Sequence, residues 1–171
     1  YDESSRFRVK NKLGLYNNVS DEEYLKKLFK FRMGRELNLN NPTTFNEKLQ
    51  WLKIYNRHSL YTTMVDKYAV KKYVADKIGE KYVIPTLGVW DNVENINFEK
   101  LPEQFVLKCT HDSGGIVICK DKSLLDYNKA RKKLKNSLET NFFIKWREWP
   151  YKDVKRRIIA EKFMEDDDAN E

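Results

Sequence analysis

The chain is poor in the residues that build metal centres and disulfide frameworks. Its 171 residues include two cysteines, Cys109 and Cys119, and two histidines. A pair of cysteines among β-branched and apolar neighbours reads as small buried side chains in a reducing compartment. Neither histidine has a second ligand at a metal-binding spacing, so no metal centre is expected within the segment. Glycine is equally scarce: of six, only Gly114 and Gly115 are adjacent. There is no G-x-x-x-x-G-K-[ST] loop and no G-x-G-x-x-G, which excludes P-loop and dinucleotide-binding readings. No apolar run approaches the roughly 20 residues of a membrane span, and the opening Tyr1-Asp2-Glu3-Ser4-Ser5 lacks the basic and apolar parts of a signal peptide. These absences point to the cytoplasm.

What is present is enough for a folded domain. Hydrophobic residues make up 40% of the chain and aromatics 13%, more than a disordered segment carries. The net charge of +7 is concentrated. Between Leu125 and Ala160 eleven Lys or Arg stand against four acids. Such a segment fits an anionic partner, and it fits a solvated helix face as well.

The first third reads as helix. Ser20-Asp21-Glu22-Glu23 is a capping box opening a stripe of Tyr24, Leu25, Leu28 and Phe29, with Gly34 as terminator. Thr44-Phe45-Asn46-Glu47 is a second box, starting the stripe Phe45, Leu49, Leu52 and Tyr55. A third helix is expected from about Asp66, carrying Ala69, Val70, Tyr73, Val74 and Ile78 before Gly79. After Gly79 strands are expected at Tyr82-Val83-Ile84-Pro85, residues 87–90, 104–110, 116–120 and 157–164, with a basic helix over about 126–138. The order gives α+β, divided into a helical N-terminal region (1–79), a sheet lobe (80–165) and an acidic tail (166–171).

The most informative stretch runs Phe105-Val106-Leu107-Lys108-Cys109-Thr110-His111-Asp112-Ser113-Gly114-Gly115. Alternation places Val106, Lys108 and Thr110 on one face, opposite Phe105, Leu107 and Cys109. A lysine within an apolar strand needs an anion or a route to water. Ser113, Gly114 and Gly115 follow as a turn whose glycines allow φ > 0 and close backbone approach, and such a bend can grip phosphate oxygens. Two readings stay open on these residues: a phosphate cradle, or an ordinary hairpin with an edge lysine turned outward. Lys67, placed in the first turn of its helix, opposes the macrodipole, a conflict that a bound anion would remove, although exposed lysines also occupy such positions. Glu161, Lys162, Phe163 and Met164 end an apolar strand from Ile158 that reads either as a flat slot with backbone groups for an adenine ring or as a core strand with a charged edge. Contiguous His111-Asp112-Ser113 cannot easily form a hydrolase triad.

Together, Phe45-Asn46-Glu47-Lys48-Leu49-Gln50-Trp51-Leu52, Asp66-Lys67-Tyr68, Phe105 to Gly115 and Ala160-Glu161-Lys162-Phe163 resemble the TupA-like ATP-grasp family, over about Leu25 to Met164. That family is named for teichuronopeptide biosynthesis and is associated with capsular and other polysaccharides, and its members are often labelled glycosyltransferases. The resemblance implies a bacterial enzyme that holds ATP between two α+β lobes and activates a carboxylate as an acyl phosphate. Lys67 would be the first phosphate-binding lysine and Lys108 the strand lysine on the α- and β-phosphates. Ser113, Gly114 and Gly115 would form the loop over them. Glu161 to Met164 would be the adenine hinge, with Glu161 near the amino group and one of Asp166 to Asp168 at the ribose. Magnesium ligands and the second lobe are expected beyond Glu171. On that expectation the segment is the front part of a longer ligase or transferase and is inactive alone. Its partners would be a nucleotide and a glycan or amino-acid precursor, with the basic segment 129–157 near a membrane surface and no nucleic acid. Two other readings stand beside it. One is a sugar-nucleotide glycosyltransferase, although Asp166-Asp167-Asp168 in the tail is the only D-x-D match. The other is a nucleic-acid binder using the basic segment with Trp146 and Trp149.

Overall fold

The computed structural model describes residues 3–165, so Asp166 to Asp168 lie outside the described residues. Among those described there are seven α-helices and one four-stranded sheet, an α+β arrangement. The chain forms two compact units. One comprises the residues up to His58 together with Phe143–Trp149; the other comprises Ser59–Phe142 and the chain from Pro150 onward. The compact units therefore divide after His58, where the sequence grouping placed the boundary after Gly79; Asp66, Lys67 and Lys71 tie the intervening segment to Arg157, Cys109 and Glu161.

The first unit holds α1 (Glu3–Lys12), α2 (Asp21–Met33) and α3 (Phe45–Tyr55). Ser20 caps α2 by accepting from the Glu23 N–H, and Gly34 ends it in the left-handed region at φ 68°. The expected inward stripe holds: Tyr24, Leu25, Leu28 and Phe29 are buried against Phe7, Leu37 and Leu39. Helix α3 behaves differently. Its capping box forms as expected, yet Phe45 is 74% exposed, Tyr55 52% and Leu52 41%. The buried residue is the capping acid: Glu47 accepts from Thr43 and Thr44 N–H groups and from Arg35. Thr44 N–H first, then the Arg35 guanidinium, hold its carboxyl down at about 2. Arg147 is buried in the same unit, donating to the Tyr16 and Asn17 carbonyls with its guanidinium over Tyr24.

The second unit contains α4 (Ser59–Val65), α5 (Ala69–Ile78), β1 (Thr86–Trp90), β2 (Phe105–Cys109), β3 (Ile116–Cys119), α6 (Tyr127–Glu139) and β4 (Ile158–Lys162). Helix α7 (Phe142–Trp146) begins at the unit's edge. The sheet is antiparallel throughout, in the order β1-β4-β2-β3, so the last strand in sequence is central. Expected strands at 87–90, 104–110, 116–120 and 157–164 are present to within a few residues. The stretch at Tyr82 is not a strand: Glu80–Tyr82 is a 3₁₀ turn, and the ladder starts at Thr86, after Pro85. One face of the sheet presents Phe105, Leu107, Cys109, Ile158 and Ala160 to a core completed by Leu134 of α6 and by Val93, Ile96, Phe98 and Leu101. Asp126 caps α6, whose apolar side meets the sheet while its lysines face away. Both cysteines are free and buried, and burial pushes the Cys109 thiol up to about 11.

Candidate functional site

The other face of the sheet carries Val106 and Lys108 of β2, Ile116 and Ile118 of β3, and Ile159 and Glu161 of β4, as the register dictates. It is partly open, and Ile118 is 59% exposed. Because Val106 lies opposite Glu161 and Lys108 opposite Ile159, Lys108 and Glu161 are diagonal neighbours within reach of long side chains. The Lys108 ammonium lies 2.5 Å from Glu161 Oε2 as an ion pair, and its side chain is only 27% exposed. It therefore neither points into bulk solvent nor leaves a buried cation without a partner.

Glu161 has a second cation that the sequence reading did not single out. Lys71, on the first turn of α5, places its ammonium 2.5 Å from Oε1 and donates to the Ile84 carbonyl at 2.6 Å. Burial works to raise the Glu161 carboxyl; Lys108 and Lys71 outweigh it and hold the group below the usual carboxylate range. The anchor for α5 is Asp66, which accepts from the Tyr68 and Ala69 N–H groups and pairs with Arg157 at the entrance to β4. Only the tertiary fold could reveal this pair, since Asp66 and Arg157 are 91 residues apart.

Lys67 lies elsewhere than expected. Helix α5 starts at Ala69, so Lys67 precedes the first turn and the macrodipole argument does not apply to it. Its ammonium donates to the carbonyls of Cys109 (3.0 Å) and Asp112, with Asp112 Oδ1 3.9 Å away. Burial lowers its pKa, and the Asp112 carboxylate opposes that shift. Lys67 is thus tied beneath the bend that joins β2 to β3.

The bend is built on Asp112. Its Oδ2 accepts from the Gly115 N–H at 3.0 Å and from the Ser137 hydroxyl of α6. Gly115 is required for close approach: a Cβ there would run into Ser137 and lie 2.8 Å from Asp112 Oδ2. Gly114 has nothing within 4 Å of such a Cβ. Neither glycine has positive φ, so the expected left-handed conformation is not what selects them. Among the described residues the Ser113 and Gly114 N–H groups have no hydrogen-bond partner, which leaves them able to meet an anion. His111 sits behind the bend, its Nε2 3.2 Å from the Ser137 and Thr140 carbonyls, and burial lowers its pKa, keeping the ring neutral. It makes no triad with Ser113.

Six of the nine candidate residues thus fall into two groups around β2. Lys67 joins Ser113, Gly114 and Gly115 at the end of β2, while Lys108 joins Glu161 in mid-sheet. Lys162 is the last residue of β4, its N–H donating to the Pro85 carbonyl at 3.0 Å. Phe163 lies under the Lys120 ammonium at 5.3 Å, and Met164 is 56% exposed. Among the described residues no group of three or more His, Cys, Asp or Glu could hold a metal ion. No helix among them is long and apolar enough to cross a membrane.

The described residues thus form an α+β arrangement whose sheet has one packed face and one partly open face bearing the Lys108–Glu161 pair. A family model described as TupA-like ATPgrasp matches residues 47–171, and the chain belongs to that family. No curated protein and no solved structure matches the chain.

Proposed function

We propose that this chain supplies the ATP-holding part of an ATP-grasp ligase or transferase that acts on precursors of bacterial cell-surface polysaccharide. The observation that carries the reading is Lys108 on the open sheet face, paired with Glu161 and one strand position from the bend that bears Ser113, Gly114 and Gly115. In this reading the adenine lies on the apolar surface near Val106, Ile118 and Met164. Its amino group is directed to Glu161, and the backbone of Lys162 to Met164 takes the ring edge. The phosphates run toward the bend, where Lys108 and the Ser113 and Gly114 N–H groups meet them. Cations and N–H groups preset around a transferring phosphoryl group stabilise the charge that develops on it. Lys67 reaches a phosphate by exchanging its two carbonyl partners for phosphate oxygens. The acyl-phosphate chemistry, the magnesium, the glycan or amino-acid precursor and the cytoplasmic setting belong to the same proposal.

Lys108→Met tests it. This change removes the cation and keeps the stem that covers the sheet. ATP binding measured by calorimetry should be lost while the circular dichroism spectrum stays the same. Unchanged ATP affinity would refute the assignment, and binding of a UDP-sugar in preference to ATP would transfer the site to a sugar nucleotide.

A further inference from the structure

Glu161 faces a conflict that the nucleotide reading alone does not resolve. It is 5% exposed, and one of its two cationic partners is the lysine required at the phosphates. A buried carboxylate deprived of its counter-charge is strongly unfavourable. If Lys108 were its only partner, every nucleotide bound would either strand that charge or force Glu161 to take up a proton. Lys71 supplies the missing element. It is only 14% exposed and is fixed at both ends of its reach, by the Ile84 carbonyl and by Glu161 Oε1. Lys108 holds the other oxygen, Oε2. The charged groups facing Glu161 are Lys71 from α5 and Lys108 from β2; β1 brings the uncharged Thr86 opposite it. Two ammonium groups on one carboxylate leave one positive charge in excess, the complement of an incoming anion.

We propose that Lys71 is a positioning residue that keeps Glu161 ionised and in place when Lys108 turns from the carboxylate to the nucleotide phosphates. Oε2, released by Lys108, then becomes free to accept from a base amino group. The inference rests on the nucleotide reading above but assigns a role to a residue which that reading does not use.

The test compares Lys71→Met and Lys71→Arg with the unaltered protein, measuring ATP affinity between pH 6 and pH 8 with folding checked by thermal melting. Lys71→Met should bind more than about tenfold more weakly at the upper end, since Lys108 must now stay with Glu161. Its deficit relative to the unaltered protein at the same pH should shrink as pH falls and Glu161 is protonated. Taking the ratio at each pH cancels the titration of the nucleotide itself. Lys71→Arg should restore most of the affinity and the flat profile. Affinity in Lys71→Met equal to that of the unaltered protein overturns the proposal, as does a deficit that is constant with pH. A second measurement needs no variant. Near pH 8, about two units above the phosphate titration, ATP binding to the unaltered protein should take up no proton in calorimetry across buffers of different ionisation enthalpy. Uptake approaching one proton per site would mean that Glu161 is neutralised rather than handed to Lys71, and would also overturn it. If Lys108→Met keeps its ATP affinity, the nucleotide reading itself fails; if only the Lys71 results fail, that reading stands and the hand-over does not.

Discussion

Gly114 and Gly115 look equivalent in the sequence and are not equivalent in the fold, which makes alanine substitution at each a sharp test. A Cβ on Gly115 would lie 2.8 Å from both Asp112 Oδ2 and the Ser137 Cβ. Relief to ordinary contact at 3.4 Å requires a displacement of roughly 0.6 Å at these two atoms, and the Ser137 hydroxyl, nearer still, must turn away and give up its bond to Asp112. Neither neighbour yields easily. Ser137 Cβ is fixed to the backbone of α6, and Asp112 is held by the Gly115 N–H itself, the Ser137 hydroxyl and the nearby Lys67. Overpacking of this kind costs about 1–3 kcal/mol, and weakening the Gly115 N–H to Asp112 bond adds to it. For a chain of this length each kcal/mol lowers the melting temperature by about 2–4 °C. Gly115→Ala should therefore melt about 4–8 °C below the unaltered protein, taking a cost near 2 kcal/mol. Gly114→Ala meets open space at a permitted φ and should change stability by less than about 0.5 kcal/mol, or raise it slightly by restricting the unfolded chain. Scanning calorimetry of the two variants side by side decides the matter. If Gly115→Ala melts within about 1 °C of the unaltered protein, or if Gly114→Ala is the damaging change, the account of the bend is wrong.

Other expectations follow from the same contacts. Asp112→Asn removes the carboxylate nearest the half-buried Lys67 and should cost about 2–3 kcal/mol in urea unfolding, with weaker ATP binding as the bend loosens; a cost below about 0.5 kcal/mol would show that Lys67 is held by carbonyls alone. Glu47, whose carboxyl is lowered from 4.5 to about 2, contributes stability that is complete above pH 4.5 and is lost as pH falls toward 2. Glu47→Gln should flatten that part of the acid unfolding curve, and an unchanged curve would remove Glu47 from the explanation. Cys109 and Cys119 should resist alkylation at pH 8 in the folded protein and react in denaturant, because burial raises both thiols. Stoichiometric labelling of the native chain would contradict their burial.

The sequence by itself determined the local elements. Capping residues Ser20, Thr44 and Asp126 act on N–H groups a few positions away, and β-strand alternation fixes which face Lys108 shares, so both are written in short spans of chain. Several resembling motifs in order also gave the family. Only the tertiary structure decided what those elements meet. The hydrophobic stripe of α3 predicted burial, yet the fold leaves Phe45, Leu52 and Tyr55 exposed and buries Glu47, because periodicity specifies a face without specifying a partner. Nothing local couples Lys71 to Glu161, Asp66 to Arg157 or Asp112 to Ser137, for these pairs form only once β4 has entered the centre of the sheet and α6 has packed behind it. The separate duties of Gly114 and Gly115 have the same origin: the space beside a glycine belongs to whatever the fold brings next to it.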